Sequence, residues 1–186
     1  MLRTNLQFLS FIEDIYLEYP QTEVLLKDYP QGSFLCKQGE WQYRVIVIKS
    51  GFVKCFTSEE NGKDFIQEFM GKGEIIGEIE AIRNTKCLCN VEAVSNVQAY
   101  SFSTSFFKSL LDTNHLFNNL LLNELVERIA CTSVRAAYQQ LYTIKHGLSK
   151  LLDLQDKQGI KLSKADMASY LGIDIRSLNR ALKELK

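Results

Sequence analysis

The chain has 186 residues, of which 46% are hydrophobic and 24% charged, so it can bury a core divided over two modest domains. No apolar run reaches membrane-spanning length, and the first residues lack a secretory pattern, which predicts a cytoplasmic protein without a membrane partner. The net charge of zero argues against a nucleic-acid binder, but Lys and Arg exceed Asp and Glu by three in residues 111–186. The five cysteines have no regular spacing, and we expect free, mostly buried thiols.

The first half of the chain changes from a helical to a strand-like pattern. Residues 5–17 carry apolar side chains at helical spacing and predict a short amphipathic helix. Between residues 22 and 103, short runs rich in Val, Ile, Phe and Tyr alternate with glycines, which is typical of a small all-β sandwich or barrel. Asn61-Gly62 predicts a hairpin turn. Residues 45–48 form a candidate core strand, and residues 97–102 form a candidate closing strand.

Two helices follow the β region. Thr104 is a candidate N-cap for a short helix, and a long helix is predicted at about 115–140. Steps of four and three along the long helix have the spacing of a two-stranded coiled coil. This seam predicts a dimer interface at Leu122, Leu125, Ile129, Thr132 and Ala136. A helix buried in the core of one chain would show a similar pattern, so that alternative stays open.

The last 46 residues read as a small helical domain. A helix is predicted at 141–154, and Gly159 marks the turn after it. Two shorter helices follow, because Gly172 is suited to end the first and Asp174 to cap the second. A short turn with glycine between two helices is the pattern of a helix-turn-helix.

The first of these two helices has a clear start. Ser163 and Asp166 have the spacing of a capping box, in which the hydroxyl accepts from the backbone amide and the carboxylate reaches back to the cap. Leu162 and Met167 are placed as a hydrophobic staple.

The second helix has two chemically different faces. Its apolar positions are Leu178, Ala181, Leu182 and Leu185, and its polar positions on the other side are Arg176, Asn179, Arg180 and Lys183. Arg can bond bidentately to guanine and Asn to adenine, and each good pair contributes about 1–3 kcal/mol of discrimination. The pattern therefore favours DNA reading, although a solvated Arg/Lys face on a helix pair looks the same.

With these parts in place, the chain resembles the Crp/Fnr family of bacterial transcription factors. The resemblance rests on the order and spacing of several short motifs: Tyr29-Pro30-Gln31-Gly32, Lys37-Gln38-Gly39-Glu40, Ser50-Gly51-Phe52-Val53-Lys54, Gly73-Glu74-Ile75-Ile76-Gly77-Glu78 and Val91-Glu92-Ala93. It implies an α+β fold. Residues 1–112 would form a cyclic-nucleotide-binding-like β-roll (a jelly roll), 113–140 a dimerisation helix, and 141–186 a winged-helix-type helix-turn-helix domain whose wing is missing.

The resemblance implies a transcription regulator that binds near-palindromic double-stranded DNA as a homodimer, with RNA polymerase as a further candidate partner. Its base contacts carry over to Ile175, Arg176, Asn179 and Arg180, and its phosphate contacts to Ser163 and Lys164. Arg176 departs from the family's usual Glu and predicts a different base at that position. For Ile175 we favour packing over contact with a thymine methyl. The family's wing would follow the last helix, so a shortened chain or an unsupported last helix is expected.

The ligand pocket that the resemblance implies is incomplete. Gly77 and Glu78 match the pair that holds the ribose, but Cys87-Leu88 stands where the family has the Arg-Ser pair that neutralises the cyclic phosphate. Lys86 would serve only if the loop slips. Thr132 and Ser133 lie where relatives contact the base across the dimer. We therefore expect a regulator that does not depend on cyclic AMP, with Glu78 a structural carboxylate that caps loop amides.

The sequence shows no pattern typical of a metal site, a cofactor site or a catalytic site. No metal-binding spacing, cofactor motif or catalytic motif is present, so we predict no metal site, no cofactor and no enzyme activity. The alternative function is a cyclic-nucleotide-binding sensor module that acts through protein contacts, with structural terminal helices.

Overall fold

Two β-sheets form the centre of the fold in the computed structural model, which describes residues 2–19 and 23–185. Residue 22, where the β region was predicted to start, lies outside the described residues. In chain order the strands are β1 (Leu2–Arg3), β2 (Val24–Tyr29), β3 (Phe34–Cys36), β4 (Arg44–Ser50), β5 (Val53–Ser58), β6 (Asp64–Met70), β7 (Ile75–Ile76), β8 (Asn90–Ala93) and β9 (Val97–Ser103). One sheet has the order β1-β6-β5-β8-β3 and the other β2-β9-β4-β7. Only the β1–β6 pair among them is parallel.

Helices flank the sheets. They are α1 (Leu6–Glu18), α2 (Glu78–Arg83), α3 (Thr104–Thr113), α4 (His115–Leu141), α5 (Ile144–Gln158), α6 (Lys164–Leu171) and α7 (Ile175–Glu184). Two predicted starts are wrong by a few residues. Ser103, not Thr104, caps α3, because its hydroxyl accepts from the amide of Phe106. Thr143 caps α5, so this helix begins three residues later than predicted and the long helix α4 runs on to Leu141.

Strand β4 shows why the run at residues 45–48 is apolar without a break. Val45 and Val47 pack on one side against α1, α3 and α4, whereas Ile46 and Ile48 pack on the other side against the five-stranded sheet. Successive side chains of a strand point to opposite faces, so a strand covered on both faces needs apolar residues throughout. The predicted core strand is confirmed, and so is the α+β fold class.

The outer face of the five-stranded sheet carries a third apolar cluster. Phe56, Ile66 and Phe69 from the sheet pack against Leu148 and Leu178 of the terminal helices. The chain therefore stacks in layers: α1, α3 and α4, then the two sheets, then α5, α6 and α7.

The predicted hairpin is also confirmed. β5 and β6 pair antiparallel and are joined by residues 59–63, with Gly62 in the left-handed region at φ 73°. In the described part of the chain, no helix is long and apolar enough to cross a lipid bilayer.

Candidate DNA-binding surface and effector pocket

Local hydrogen bonds build the helix-turn-helix. The Ser163 hydroxyl accepts from the amide of Asp166 at 3.0 Å, as predicted. The turn follows from Gly172, which ends α6 in the left-handed conformation at φ 67°. Asp174 then caps α7, and its carboxylate accepts from the amide of Ser177 at 2.8 Å, which holds the pKa of Asp174 below its usual value.

The second half of the predicted capping box differs. The Asp166 carboxylate accepts from the Ser163 hydroxyl at 2.7 Å and from Lys54 Nζ at 2.8 Å, rather than reaching back to the cap amide. A cation from a distant strand offers a stronger, charge-assisted hydrogen bond than the neutral amide. The staple residues Leu162 and Met167 are both buried in the same cluster.

The two faces of helix α7 are oriented as the sequence predicts, with the apolar face buried and the cationic face exposed. Leu178 and Ala181 are buried against α5 and α6. The exposed cations on the opposite side are Arg176, Arg180 and Lys183. Ile175 was expected to pack against the protein, but it is 49% exposed, so about half of its surface makes no packing contact. The outer face of α7 thus presents a cationic surface with one exposed apolar side chain at its start.

A hydrogen bond links the two helices at this surface. Lys164 Nζ, at the start of α6, donates to Asn179 Oδ1 of α7 at 2.9 Å. The residue predicted to bind phosphate therefore also orients a residue predicted to read a base. Their separation of 15 positions carries no local pattern that would have revealed this bond.

The helix-turn-helix is fastened to the β domain by contacts that the sequence did not reveal. Arg135 of α4 lies between two rings, with its guanidinium carbon 4.1 Å from the Tyr170 ring centre and 5.1 Å from that of Phe65. Its Nη2 also donates to the carbonyl oxygens of Ile66 and Tyr170 at 2.7 and 2.8 Å. One side chain thus joins the long helix, the sheet and α6.

Helix α4 has an exposed apolar stripe beyond its contacts with the β domain. Leu122, Val126 and Ile129 are 61%, 56% and 67% exposed. Thr132 and Ala136 are exposed as well, but Leu125 is half-buried against the core beneath α1 and α3. The exposed stripe therefore contains Val126 in place of the predicted Leu125, and it is formed by Leu122, Val126 and Ile129.

The predicted ribose pair lies at the start of α2. Gly77 has φ 88°, and a Cβ there would come within 2.7 Å of the Arg44 carbonyl oxygen, so only glycine fits. Glu78 is buried, and its carboxylate forms an ion pair with Arg128 of α4. Arg128 Nη2 also donates to the Ile75 carbonyl oxygen at 3.0 Å. Glu78 is thus bound by an arginine, a partner that no local sequence pattern indicates.

The other predicted pocket residues lie apart from this ion pair. Lys86 is exposed on the loop after α2, and Thr132 and Ser133 are exposed on α4. Cys87 is buried where a phosphate-binding arginine would stand in the family's pattern. No polar contact in the described residues links Lys86 to Glu78 or Arg128.

Arg128 belongs to a larger buried charge cluster. Arg3 of β1 forms ion pairs with Glu68, Glu74 and Glu124, and Arg128 lies 3.7 Å from both Glu74 and Glu124. With Glu78, four carboxylates face two guanidinium groups. Burial, followed by the charge of Glu124, raises the pKa of Glu74 from 4.5 to about 8. The crowding of carboxylates in this buried cluster therefore favours the protonated form of Glu74. No group of His, Cys, Asp or Glu among the described residues is arranged to hold a metal ion.

Residues 26–114 match the family model of the cyclic nucleotide-binding domain. No curated protein sequence is significantly similar to the chain. The structural comparisons agree with the domain match and extend it over the terminal helices.

Three solved structures illustrate the similarity. The c-di-GMP-responsive global regulator CLP of Xanthomonas campestris is 16% identical, with a TM-score of 0.81 over 92% of this chain and 91% of that one. FixK2 of Bradyrhizobium japonicum is 15% identical, with a TM-score of 0.76 over 87% and 84%. The catabolite activator protein of Thermus thermophilus is 19% identical, with a TM-score of 0.58 over 93% and 81%. At these identities the comparison defines the fold.

Proposed function

Since the chain has the fold of the Crp/Fnr transcription regulators, with a cyclic nucleotide-binding domain at residues 26–114, we propose that it is a DNA-binding transcription regulator. The observation that carries this proposal is the first two turns of α7. Arg176 and Arg180 are exposed there, and Lys164 lies beside them through its bond to Asn179. A helix with donors on its outer face and an apolar inner face is suited to the major groove.

The proposed reading unit combines base and phosphate contacts. Arg180 and Arg176 would donate to base edges, with Asn179 held beside them by Lys164. Ile175 is exposed enough to contact a thymine methyl group. Ser163 and Lys164, at the start of α6, would contact the phosphate backbone, which positions the helix without specifying sequence.

We infer that two copies act together on a near-palindromic site. The exposed stripe at Leu122, Val126 and Ile129 supports this, because adjacent exposed apolar side chains at coiled-coil spacing favour a partner helix. Two half-sites would then lie about one helical turn, or ~34 Å, apart.

We also propose that cyclic AMP is not the effector. Glu78 is bound by Arg128, and Cys87 stands at the position where a phosphate-neutralising arginine would be required. Titration calorimetry with cyclic AMP tests this point, and a micromolar affinity would overturn it.

The function is tested by selecting bound DNA from a random pool and measuring affinity for the selected site at two salt concentrations. We expect a palindromic site and binding that falls steeply as salt rises. Arg180→Ala should relax the preference at one base pair per half-site by about 1–3 kcal/mol. Lys183→Ala, another exposed cation on α7, is the matched control and should leave the preference unchanged. Failure to bind any DNA at low salt would favour a sensor module that acts through protein contacts.

A further inference from the structure

The loop that follows α2 carries two cysteines, and each meets a cysteine from the five-stranded sheet. Cys55 Sγ of β5 donates to Cys89 Sγ at a distance of 2.8 Å. Two residues earlier on the same loop, Cys87 shares a hydrogen bond with Cys36 of β3. Four of the five thiols are thus paired with another thiol, an arrangement that neither DNA reading nor dimerisation uses.

The sheet order explains this meeting of distant residues. Strand β8 lies between β5 and β3, and both Cys55 and Cys36 are opposite Val91 in their pairings with it. The loop after α2 ends at Cys89, and β8 begins at Asn90. Cys89 therefore lies beside β5, immediately before the start of β8.

We propose that Cys55 and Cys89 are a redox-active thiol pair that closes to an intramolecular disulfide when the protein meets a peroxide. Their sulfur atoms are within one ångström of the covalent S–S distance of about 2.05 Å, so closure needs little movement. Cys89 is half-buried and Cys55 is 5% exposed, so a small oxidant reaches Cys89 first.

The chemistry balances with a peroxide as the two-electron oxidant. The Cys89 thiolate attacks one peroxide oxygen, so an S–O bond forms, the O–O bond breaks, and the departing oxygen takes up the proton that the thiol released. The product at Cys89 is a sulfenic acid. Cys55 sulfur then attacks Cys89 sulfur, so the S–S bond forms and the S–O bond breaks, and hydroxide leaves with the Cys55 proton as water. Two added thiols reverse the reaction by exchange.

The division of roles between the two thiols follows from their surroundings. The hydrogen bond to Cys89, together with burial, raises the pKa of the Cys55 thiol well above its usual value. Cys55 therefore stays protonated until its partner has been oxidised. Gln67 Oε1 lies 3.5 Å from Cys55 Sγ and is a second acceptor for this thiol.

The test uses the full chain, reduced, freed of reductant and treated with graded hydrogen peroxide, with free thiols then blocked and tryptic peptides analysed by mass spectrometry. No Lys or Arg separates Cys87 from Cys89, so the mapping is done on the Cys87→Ser variant, in which only Cys89 remains on that peptide. We expect a cross-link between the peptides of Cys55 and Cys89 that dithiothreitol removes. Circular dichroism establishes that each variant is folded.

Three further variants make the result specific. Cys89→Ser and Cys55→Ala should each abolish this cross-link, because each variant removes one of the two thiols. Cys131→Ser removes a thiol on α4 whose sulfur contacts Glu127, and it should leave the cross-link intact. The proposal is overturned if Cys55 links to Cys36 instead, if Cys89 links to Cys131, or if peroxide links Cys55 and Cys89 only after the chain is unfolded in urea.

Discussion

Lys54 Nζ lies 2.8 Å from Asp166 Oδ1, and this ion pair joins the middle of the five-stranded sheet to the first turn of the helix-turn-helix. Both side chains are largely buried, with 17% and 13% of their surfaces exposed. Asp166 also accepts from the hydroxyl of Ser163, the cap of α6. The same carboxylate therefore organises the start of α6 and fastens the helix to the sheet.

Replacing Lys54 by Ala should loosen this attachment. The loss of a partly buried, charge-assisted hydrogen bond costs about 1–2 kcal/mol, and it leaves Asp166 without its cation. Urea unfolding measures the loss of stability. Lys63→Ala, an exposed lysine of the nearby hairpin, is the control and should stay within about 0.5 kcal/mol of the unchanged protein. Equal effects of the two variants would show that the ion pair contributes nothing.

Replacing Arg135 should have a larger effect. Arg135→Ala loses two hydrogen bonds to backbone carbonyls and the stacking on Phe65 and Tyr170, and we expect a loss of about 2–3 kcal/mol. Arg135→Lys keeps the charge but not the planar group, so it should restore only part of the stability. Thermal unfolding compares the three proteins. Full recovery with Lys would mean that charge alone matters at this position.

The bond between Lys164 and Asn179 changes what is expected of a lysine that is proposed to contact phosphate. The sequence alone predicts that Lys164→Ala weakens binding to all DNA sequences alike and lowers the salt slope by about one. Because the variant also frees Asn179, we expect a second effect at the base that Asn179 is proposed to read. Affinities for single-base variants of the selected site measure both effects. Uniform weakening across all of them would show that the bond has no role in base reading.

Neighbouring residues of α4 should separate folding from self-association. Val126→Glu places a charge on the exposed stripe, so it should weaken the proposed dimer without lowering the stability of the monomer. Leu125→Ala removes a half-buried side chain from the core and should cost about 1–3 kcal/mol of stability. Sedimentation equilibrium and urea unfolding distinguish the outcomes. A Val126→Glu variant that associates as tightly as the unchanged chain would place the interface elsewhere.

The raised pKa of Glu74 predicts a pH dependence of stability. Between about pH 5 and pH 8 the folded chain holds a proton on Glu74 that the unfolded chain has released, so the stability falls as the pH rises through this window. Arg3, Glu68, Glu124 and Arg128 are the charged groups that face Glu74. Glu74→Gln resembles the protonated form at every pH.

The free energy of unfolding of the Gln variant, relative to the unchanged chain, should therefore increase from pH 5 to pH 9. Urea unfolding at several pH values gives this difference, because titrating groups outside the charge cluster contribute equally to both proteins. Parallel pH profiles would mean that Glu74 is ionised throughout the range.

Local physical chemistry explains which features were predictable. The caps at Ser163 and Asp174, the left-handed glycines at 62 and 172, and the unbroken apolar run of β4 each depend on neighbours a few positions away. Such features follow from backbone geometry and the burial of a strand on both faces, so one sequence was enough to predict them. The two faces of α7 follow in the same way from helical periodicity.

The remaining features depend on packing between residues far apart in the chain. Arg128 contacts Glu78 because α4 packs beside the start of α2, and Lys54 contacts Asp166 because α6 packs against the five-stranded sheet. Likewise, Cys55 reaches Cys89 only because β5 and β8 are neighbours in a particular register. The energy of such a pair depends on the distance between the two groups and on their burial. Because spacing along the chain determines neither quantity, these partners are known only from the folded structure.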